Sequence, residues 1–183
     1  MNWNLPNKLT MLRVFMIPFF LVLLLNPQFQ IPGQTWICLA IYVAASLTDT
    51  LDGYIARKYN MVTNFGKFMD PLADKLLVCS AIICFAAMGI MPVWIVLIII
   101  GREFIISGFR LVASDKGVVI AAGISGKIKT VVQMITIGFL IVNLDGPVFN
   151  TIETVLIYLS LILTVVSLID YLYHNWNVLR EDG

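Results

Sequence analysis

Six apolar runs, at about residues 9–25, 35–57, 67–89, 92–113, 127–144 and 151–173, each approach the ~20 residues a helix needs to cross a hydrocarbon core. At that depth no water satisfies the backbone, so a spanning segment must either pair its own N–H and C=O groups in a helix or join a closed barrel. No series of alternating ten-residue segments suggests a barrel. The runs therefore predict an all-α integral membrane protein: six transmembrane helices in a single membrane-embedded domain, residues 1–183. With 60% apolar and 13% charged residues, the chain lies far from the soluble average. Chain breakers fall between the runs at Asn26-Pro27, Ile31-Pro32-Gly33, Gly89, Pro92 and Asp145-Gly146-Pro147. Pro18 and Pro71 lie inside runs one and three, where Pro71 would free the carbonyl of Lys67 and bend the helix beside Asp70.

A net charge of +1 gives no case for a nucleic-acid partner, so the placement of charge carries the argument. All twelve basic residues fall toward one end of the six-span layout, Arg102 least neatly because it sits around mid-depth in span four, and the other three loops have none. By the positive-inside rule both termini and the second and fourth loops face the cytoplasm, with Trp36 and Trp94 at the outer interface and Trp3 and Trp176 at the inner one. No cleaved signal peptide is expected, because the start lacks a basic region, a short apolar core and a small-residue cleavage site. Cys38, Cys79 and Cys84 sit in apolar runs, away from both the close pairing of a zinc site and the polar loops of a disulfide scaffold.

Against this background the four aspartates of Asp49-x-x-Asp52-Gly53-x-x-Ala56-Arg57, eight residues, then Gly66-x-x-x-Asp70-x-x-x-Asp74 stand out. An ionised carboxylate at membrane depth costs roughly 2.5–3.5 kcal/mol, so four of them call for cations. On helices, Asp49, Asp52, Gly53 and Ala56 share one face, and Gly66, Asp70 and Asp74 share another. A short connection makes these helices antiparallel neighbours whose acidic faces converge. Convergent hard oxygen donors suit Mg²⁺ or Mn²⁺, and two metals about 3.5–4 Å apart is the usual clamp on a transferred phosphoryl group. The alternatives are a buried ionic network with Arg57, Lys58, Lys67 and Lys75, or a divalent-cation pathway. The outer halves of the spans are almost purely apolar, unlike such a pathway.

The same residues resemble the signature of the CDP-alcohol phosphotransferase family, with all eight fixed positions present at the family spacing. Asn7-x-x-Thr10-x-x-Arg13, Asp70-Pro71-Leu72-Ala73-Asp74-Lys75, Arg102-Glu103-Phe104 and Gly126-Lys127-Ile128-Lys129-Thr130 look like its bacterial phosphatidylglycerophosphate synthase branch. The resemblance implies transfer of a phosphatidyl group from CDP-diacylglycerol to sn-glycerol 3-phosphate with release of CMP. It implies two Mg²⁺ or Mn²⁺ per site on Asp49, Asp52, Asp70 and Asp74, with Asp74 also in the family position of general base. Asn7, Thr10, Asp52, Gly53, Ala56, Arg57 and Gly66 would form the CDP-lipid site. It further implies a homodimer in a bacterial inner membrane, surrounded by membrane lipids, with a cytoplasmic active site. Inositol phosphate or serine remain alternative acceptors, because the signature reads the CDP-lipid half alone.

The acceptor phosphate needs its own cations, and Arg102, Arg110, Lys127 and Lys129 are the candidates. Arg102 and Arg110 are separated by about 80° around a helix and so share a cavity, whereas helical Lys127 and Lys129 point about 200° apart. Arg102, near mid-depth, needs an anionic partner, for which Glu103 or an aspartate is available. Either lysine could instead snorkel to lipid headgroups, and Arg110 could anchor the cytoplasmic face. Asn7, Thr10 and Arg13 form a polar stripe entering the first span, which helix capping and anchoring would also explain. His174 reads as an interfacial residue and Asp170 as a salt-bridge partner for the basic loop.

Overall fold

The structure, a computed structural model, describes residues 4–26, 29, 31–59, 63–118, 120 and 123–178, with backbone alone at 6, 49, 50, 52–54, 56, 57, 64, 65, 67, 68 and 71. Among these residues it is all-helical, with α1 (Leu5–Leu25), α2 (Gln34–Lys58), α3 (Asn64–Ala87), α4 (Val93–Asp115), α5 (Ile124–Val142) and α6 (Pro147–Asn175), then a 3-10 turn at Trp176–Val178. Asn7–Leu25, Ile124–Val142 and Pro147–Asn175 are long and apolar enough to cross a membrane, and the chain is a membrane protein. α2 offers a shorter apolar stretch, Gln34–Thr48, ahead of Asp49 and Asp52. α3 is interrupted by Asp70, Asp74 and Lys75, and α4 by Arg102, Glu103, Arg110 and Asp115.

The helix ends follow from local chemistry. Asn4 caps α1 by accepting from the Asn7 N–H at 3.2 Å, and the Gln34 amide opens α2 while donating to the α1 carbonyls of Leu23 at 2.6 Å and Asn26 at 3.0 Å. Thr63 caps α3. α4 closes in a Schellman turn: Gly117 takes φ +73°, its N–H donates to Ser114 at 3.0 Å, and the Val118 N–H donates to Ala113 at 2.8 Å. Asn143, left-handed at φ 44°, ends α5, and Pro147 starts α6 with its ready-set φ.

The chain divides into two compact units. In the first, residues 1–88 with 140–142, helix α1 buries one stripe at three- and four-residue spacing: Asn7, Thr10 and Arg13, then Ile17, Phe20 and Leu24. α1 packs against α2 and α3, with the Phe20 and Tyr42 ring centroids 6.1 Å apart; α2 buries Cys38, Tyr42 and Ala45, and α3 buries Leu77, Ala81 and Phe85. Arg13 is fully buried, which replaces the reading of this residue as a surface anchor. α3 continues as helix through Pro71.

In the second unit, residues 89–139 with 143–183, α4 buries Ile95, Ile99, Arg102, Ile106, Phe109 and Ala113, and α6 buries Glu153, Ile157, Ser160, Thr164, Ser167 and Tyr171. Both stripes again step by three and four. Phe109 meets Tyr171 edge-on, with centroids 5.6 Å apart, in a cluster with Ile106. Thr136 of α5 and Ser160 of α6 share a hydrogen bond of 2.8 Å, the small-polar contact that joins helices where lipid supplies no hydrophobic drive.

Candidate functional site

The first unit carries the acidic signature. Positions 49, 52, 53 and 56 fall on one face of α2 near its C-terminal end, and Arg57 is its last residue but one; the side chains of Asp49, Asp52, Gly53, Ala56 and Arg57 lie outside the described residues. Asp70 and Asp74 stand one turn apart on α3, Asp70 half-buried and Asp74 exposed. The Thr10 hydroxyl of α1 donates to Asp70 Oδ1 at 2.7 Å, which fixes the carboxylate rotamer. Such a bond leaves Oδ2 and the second lone pair of Oδ1 for a cation.

Thr63 ties the start of α3 to α1. Its Oγ1 accepts from the Gly66 N–H at 3.0 Å while its hydroxyl donates to Asn7 Oδ1 at 2.9 Å. A Cβ at Gly66 would stand 3.3 Å from Asn7 Oδ1, 3.3 Å from Thr63 Oγ1 and 3.5 Å from Asp70 Oδ2, so only glycine leaves this cluster of oxygens undisturbed. The structure thereby brings together Asn7, Thr10, Gly66 and Asp70. Thr63 was missed in the sequence, although a Thr three residues before Gly66 at a helix start carries the signal.

Among the described residues no group of three or more His, Cys, Asp and Glu stands within reach of one metal ion. Asp70 and Asp74 contribute oxygen donors on successive turns, and nothing soft lies beside them in the signature, a donor chemistry that fits Mg²⁺ or Mn²⁺.

The second unit carries the four cations expected at the acceptor phosphate, Arg102, Arg110, Lys127 and Lys129. Arg102 is 8% exposed and donates from Nε and Nη2 to Ser167 Oγ at 3.2 and 3.0 Å, and from Nη1 to Glu103 Oε1 at 2.9 Å. Lys129 is 2% exposed, and its ammonium donates to the same Glu103 Oε1, whereas Lys127 is exposed. A cavity of about 610 Å³ is lined by Arg102 and Arg110, the α5 start at Ser125 and Gly126, and Asp170 and Tyr171 of α6; neither lysine lines it. A Cβ on Gly126 would stand 3.5 Å from Arg102 Nη2, so the α5 start lies directly against the guanidinium. Arg110 holds its guanidinium 5.9 Å from the Tyr171 ring centre. Asp170 bonds the Ser125 hydroxyl and pairs with His174 Nδ1 at 3.1 Å, so its described partners are these two rather than a basic loop. The sequence reading assigned Ser167 no role; its signal is the small-polar series Ser160, Thr164, Ser167 in an otherwise apolar helix.

Comparison with known proteins bears on both units. Residues 3–166 match the sequence profile described as CDP-alcohol phosphatidyltransferase. A Bacillus subtilis protein named CDP-diacylglycerol–glycerol-3-phosphate 3-phosphatidyltransferase is 41% identical over 99% of this chain and 100% of its own length. Proteins of the same name from Haemophilus influenzae and Rickettsia bellii are 37% identical over 94% of this chain and 93% of their own, and 35% identical over 92% and 93%. A profile match across nearly the whole chain, with relatives of this identity aligned end to end, establishes that the chain belongs to the CDP-alcohol phosphatidyltransferase family.

Proposed function

We propose that the chain transfers the phosphatidyl group of CDP-diacylglycerol to sn-glycerol 3-phosphate, giving phosphatidylglycerophosphate and CMP. The observation that carries this reading is the end-to-end likeness to relatives bearing that name, with the aspartate signature intact in this chain. The acceptor hydroxyl attacks the phosphatidyl phosphorus, a new O–P bond forms, the pyrophosphate P–O bond breaks, and CMP departs with the bridging oxygen. Asp74, exposed on α3, takes the hydroxyl proton on a carboxylate oxygen. Asp49, Asp52, Asp70 and Asp74 hold two divalent cations, which when bound neutralise the pyrophosphate and polarise the phosphorus. Thr10 orients Asp70 for that task through the 2.7 Å hydrogen bond. Asn7, Thr10, Asp52, Gly53, Ala56 and Gly66 form the CDP-lipid site, where Arg57 grips phosphate as a fixed fork.

Arg102 and Arg110, which line the cavity of the second unit, bind the acceptor phosphate, and Lys127 and Lys129 add positive potential from the start of α5. All six helices span a bacterial inner membrane as one catalytic domain, with both termini and the site toward the cytoplasm, and the working form is a homodimer. The clustering of the basic residues, Arg102 at mid-depth apart, toward one end of the six-span layout supports that orientation.

The test is CMP release by the purified chain in detergent, offered glycerol 3-phosphate, inositol phosphate or serine in turn, with Mg²⁺, Mn²⁺ or EDTA. Release with glycerol 3-phosphate alone, abolished by EDTA and restored by either metal, is expected. Release with another alcohol instead would move the enzyme to a different acceptor, and EDTA-resistant release would remove the metal assignment.

Gly66→Ala gives a second expected result. The added methyl, 3.3 Å from Asn7 Oδ1 and from Thr63 Oγ1, must displace Asn7 or Thr63 by a few tenths of an ångström and lies in contact with Asp70 Oδ2 at 3.5 Å. Turnover should fall roughly tenfold, in the range for losing a supporting contact at a ligand site. Thermal stability should change little, because Ala gains about 0.5–1 kcal/mol over Gly in a helix. Full activity in the Ala variant would separate Gly66 from the site.

A further inference from the structure

Glu103 has no part in the reaction proposed above, yet it is the point at which two cations of the second unit, Arg102 and Lys129, meet. Its Oε1 accepts from Arg102 Nη1 at 2.9 Å and from the Lys129 ammonium, with side-chain exposures of 9% for Arg102, 17% for Glu103 and 2% for Lys129. Two buried cations sharing one carboxylate oxygen would otherwise repel across a few ångströms in a poorly hydrated interior. The other edge of the guanidinium, Nε and Nη2, is held by Ser167 Oγ, itself fixed by donation to the Thr164 carbonyl at 3.0 Å. Arg102 lines the cavity, and Glu103 is not among the residues that do.

We propose that Glu103 is a positioning residue for the acceptor: its carboxylate draws Arg102 of α4 and Lys129 of α5 together and, with Ser167, fixes the guanidinium plane that meets the acceptor phosphate. The inference rests on the reading of this cavity as the glycerol 3-phosphate site. Tethered at Nη1 by Glu103 and at Nε and Nη2 by Ser167, the guanidinium has lost its rotational freedom before the acceptor arrives. A planar fork fixed in this way binds a phosphate with less ordering cost than a mobile one.

The sign of the effect separates positioning from plain electrostatics. Removing a negative charge beside a phosphate site would by itself tighten anion binding, whereas releasing Arg102 and Lys129 from their shared anchor weakens it. Glu103→Gln, in the full-length protein in detergent, should raise KM for glycerol 3-phosphate by roughly tenfold or more, the scale for losing an outer support of a binding group. KM for CDP-diacylglycerol should stay within about twofold. Combined with Lys129→Met, the loss should be smaller than the product of the two single losses, because both changes act on one cluster. Glu103→Asp, which keeps the charge but shortens the reach, should restore part of the affinity, and it takes the place of Gln if that variant does not fold. An unchanged or lowered KM for glycerol 3-phosphate in a folded variant, or an equal rise for both substrates, would overturn the assignment. Stabilisation of the wild-type protein against heat by glycerol 3-phosphate, compared with each variant, reads binding without turnover. A wild-type protein that binds no glycerol 3-phosphate marks failure of the functional reading, and a variant that binds as well as wild type marks failure of the Glu103 assignment alone.

Discussion

Asp70→Asn should lower CMP release by on the order of a thousandfold while leaving a protein that inserts, purifies and unfolds at nearly the wild-type temperature. The substitution keeps the shape of the side chain and an oxygen able to accept the Thr10 hydroxyl, whose bond to Asp70 Oδ1 measures 2.7 Å. What disappears is a negative charge and a hard anionic donor. Removing one electrostatic element of a transition-state site costs roughly 10²–10³ in rate, and a cation's ligand stands at or above the top of that range. Stability should change little, because Asp70 is half-buried and the neutral amide relieves the cost of a carboxylate at membrane depth. Turnover within about threefold of wild type in the Asn variant would remove Asp70 from the metal-binding set, and unfolding of the variant would point to a structural ion pair instead.

The helices were legible because hydrocarbon leaves a backbone so few choices. The expected third run began at 67, but α3 begins at Asn64, three residues earlier, because Thr63 caps it from an extended backbone at φ −111° and ψ 157°. Polar caps do not register in a search for apolar stretches. α5 also starts early, at Ile124 rather than 127, after Gly123 and without a side-chain cap, and in α6 Pro147 sets the first turn before the apolar run starts. The acidic signature was legible because its residues are local: spacing alone puts Asp70 and Asp74 on one face. The cation cluster was legible only in part. Helical angles separate Lys127 from Lys129 but do not say which turns inward, since Glu103 of α4, distant in sequence, decides it. The pairing of Arg102 with Glu103, one of the partners the sequence offered, does form at 2.9 Å, although residues at i and i+1 do not face one another on a helix and only the long reach of the guanidinium closes the contact.

Arg102→Gln should raise KM for glycerol 3-phosphate by roughly 10- to 150-fold with little effect on KM for CDP-diacylglycerol. The range is the ~1.5–3 kcal/mol of a hydrogen bond to a charged group, converted at 1.4 kcal/mol per tenfold. Arg102 lines the cavity from α4, so the loss of its charge is felt where the acceptor phosphate sits. The variant should fold, because Lys129 still neutralises Glu103 and the Gln amide still offers a donor to Ser167. Arg102→Lys tests whether charge or shape matters. An ammonium keeps the charge but is a single point, unable to span Ser167 on one edge and Glu103 on the other as the guanidinium does. It should therefore recover only part of the affinity lost in Gln. Equal kinetics for Arg102→Lys and wild type would mean that charge alone recruits the acceptor, and an equal rise in both KM values for Arg102→Gln would mean that Arg102 supports the fold of the second unit rather than reading the acceptor phosphate.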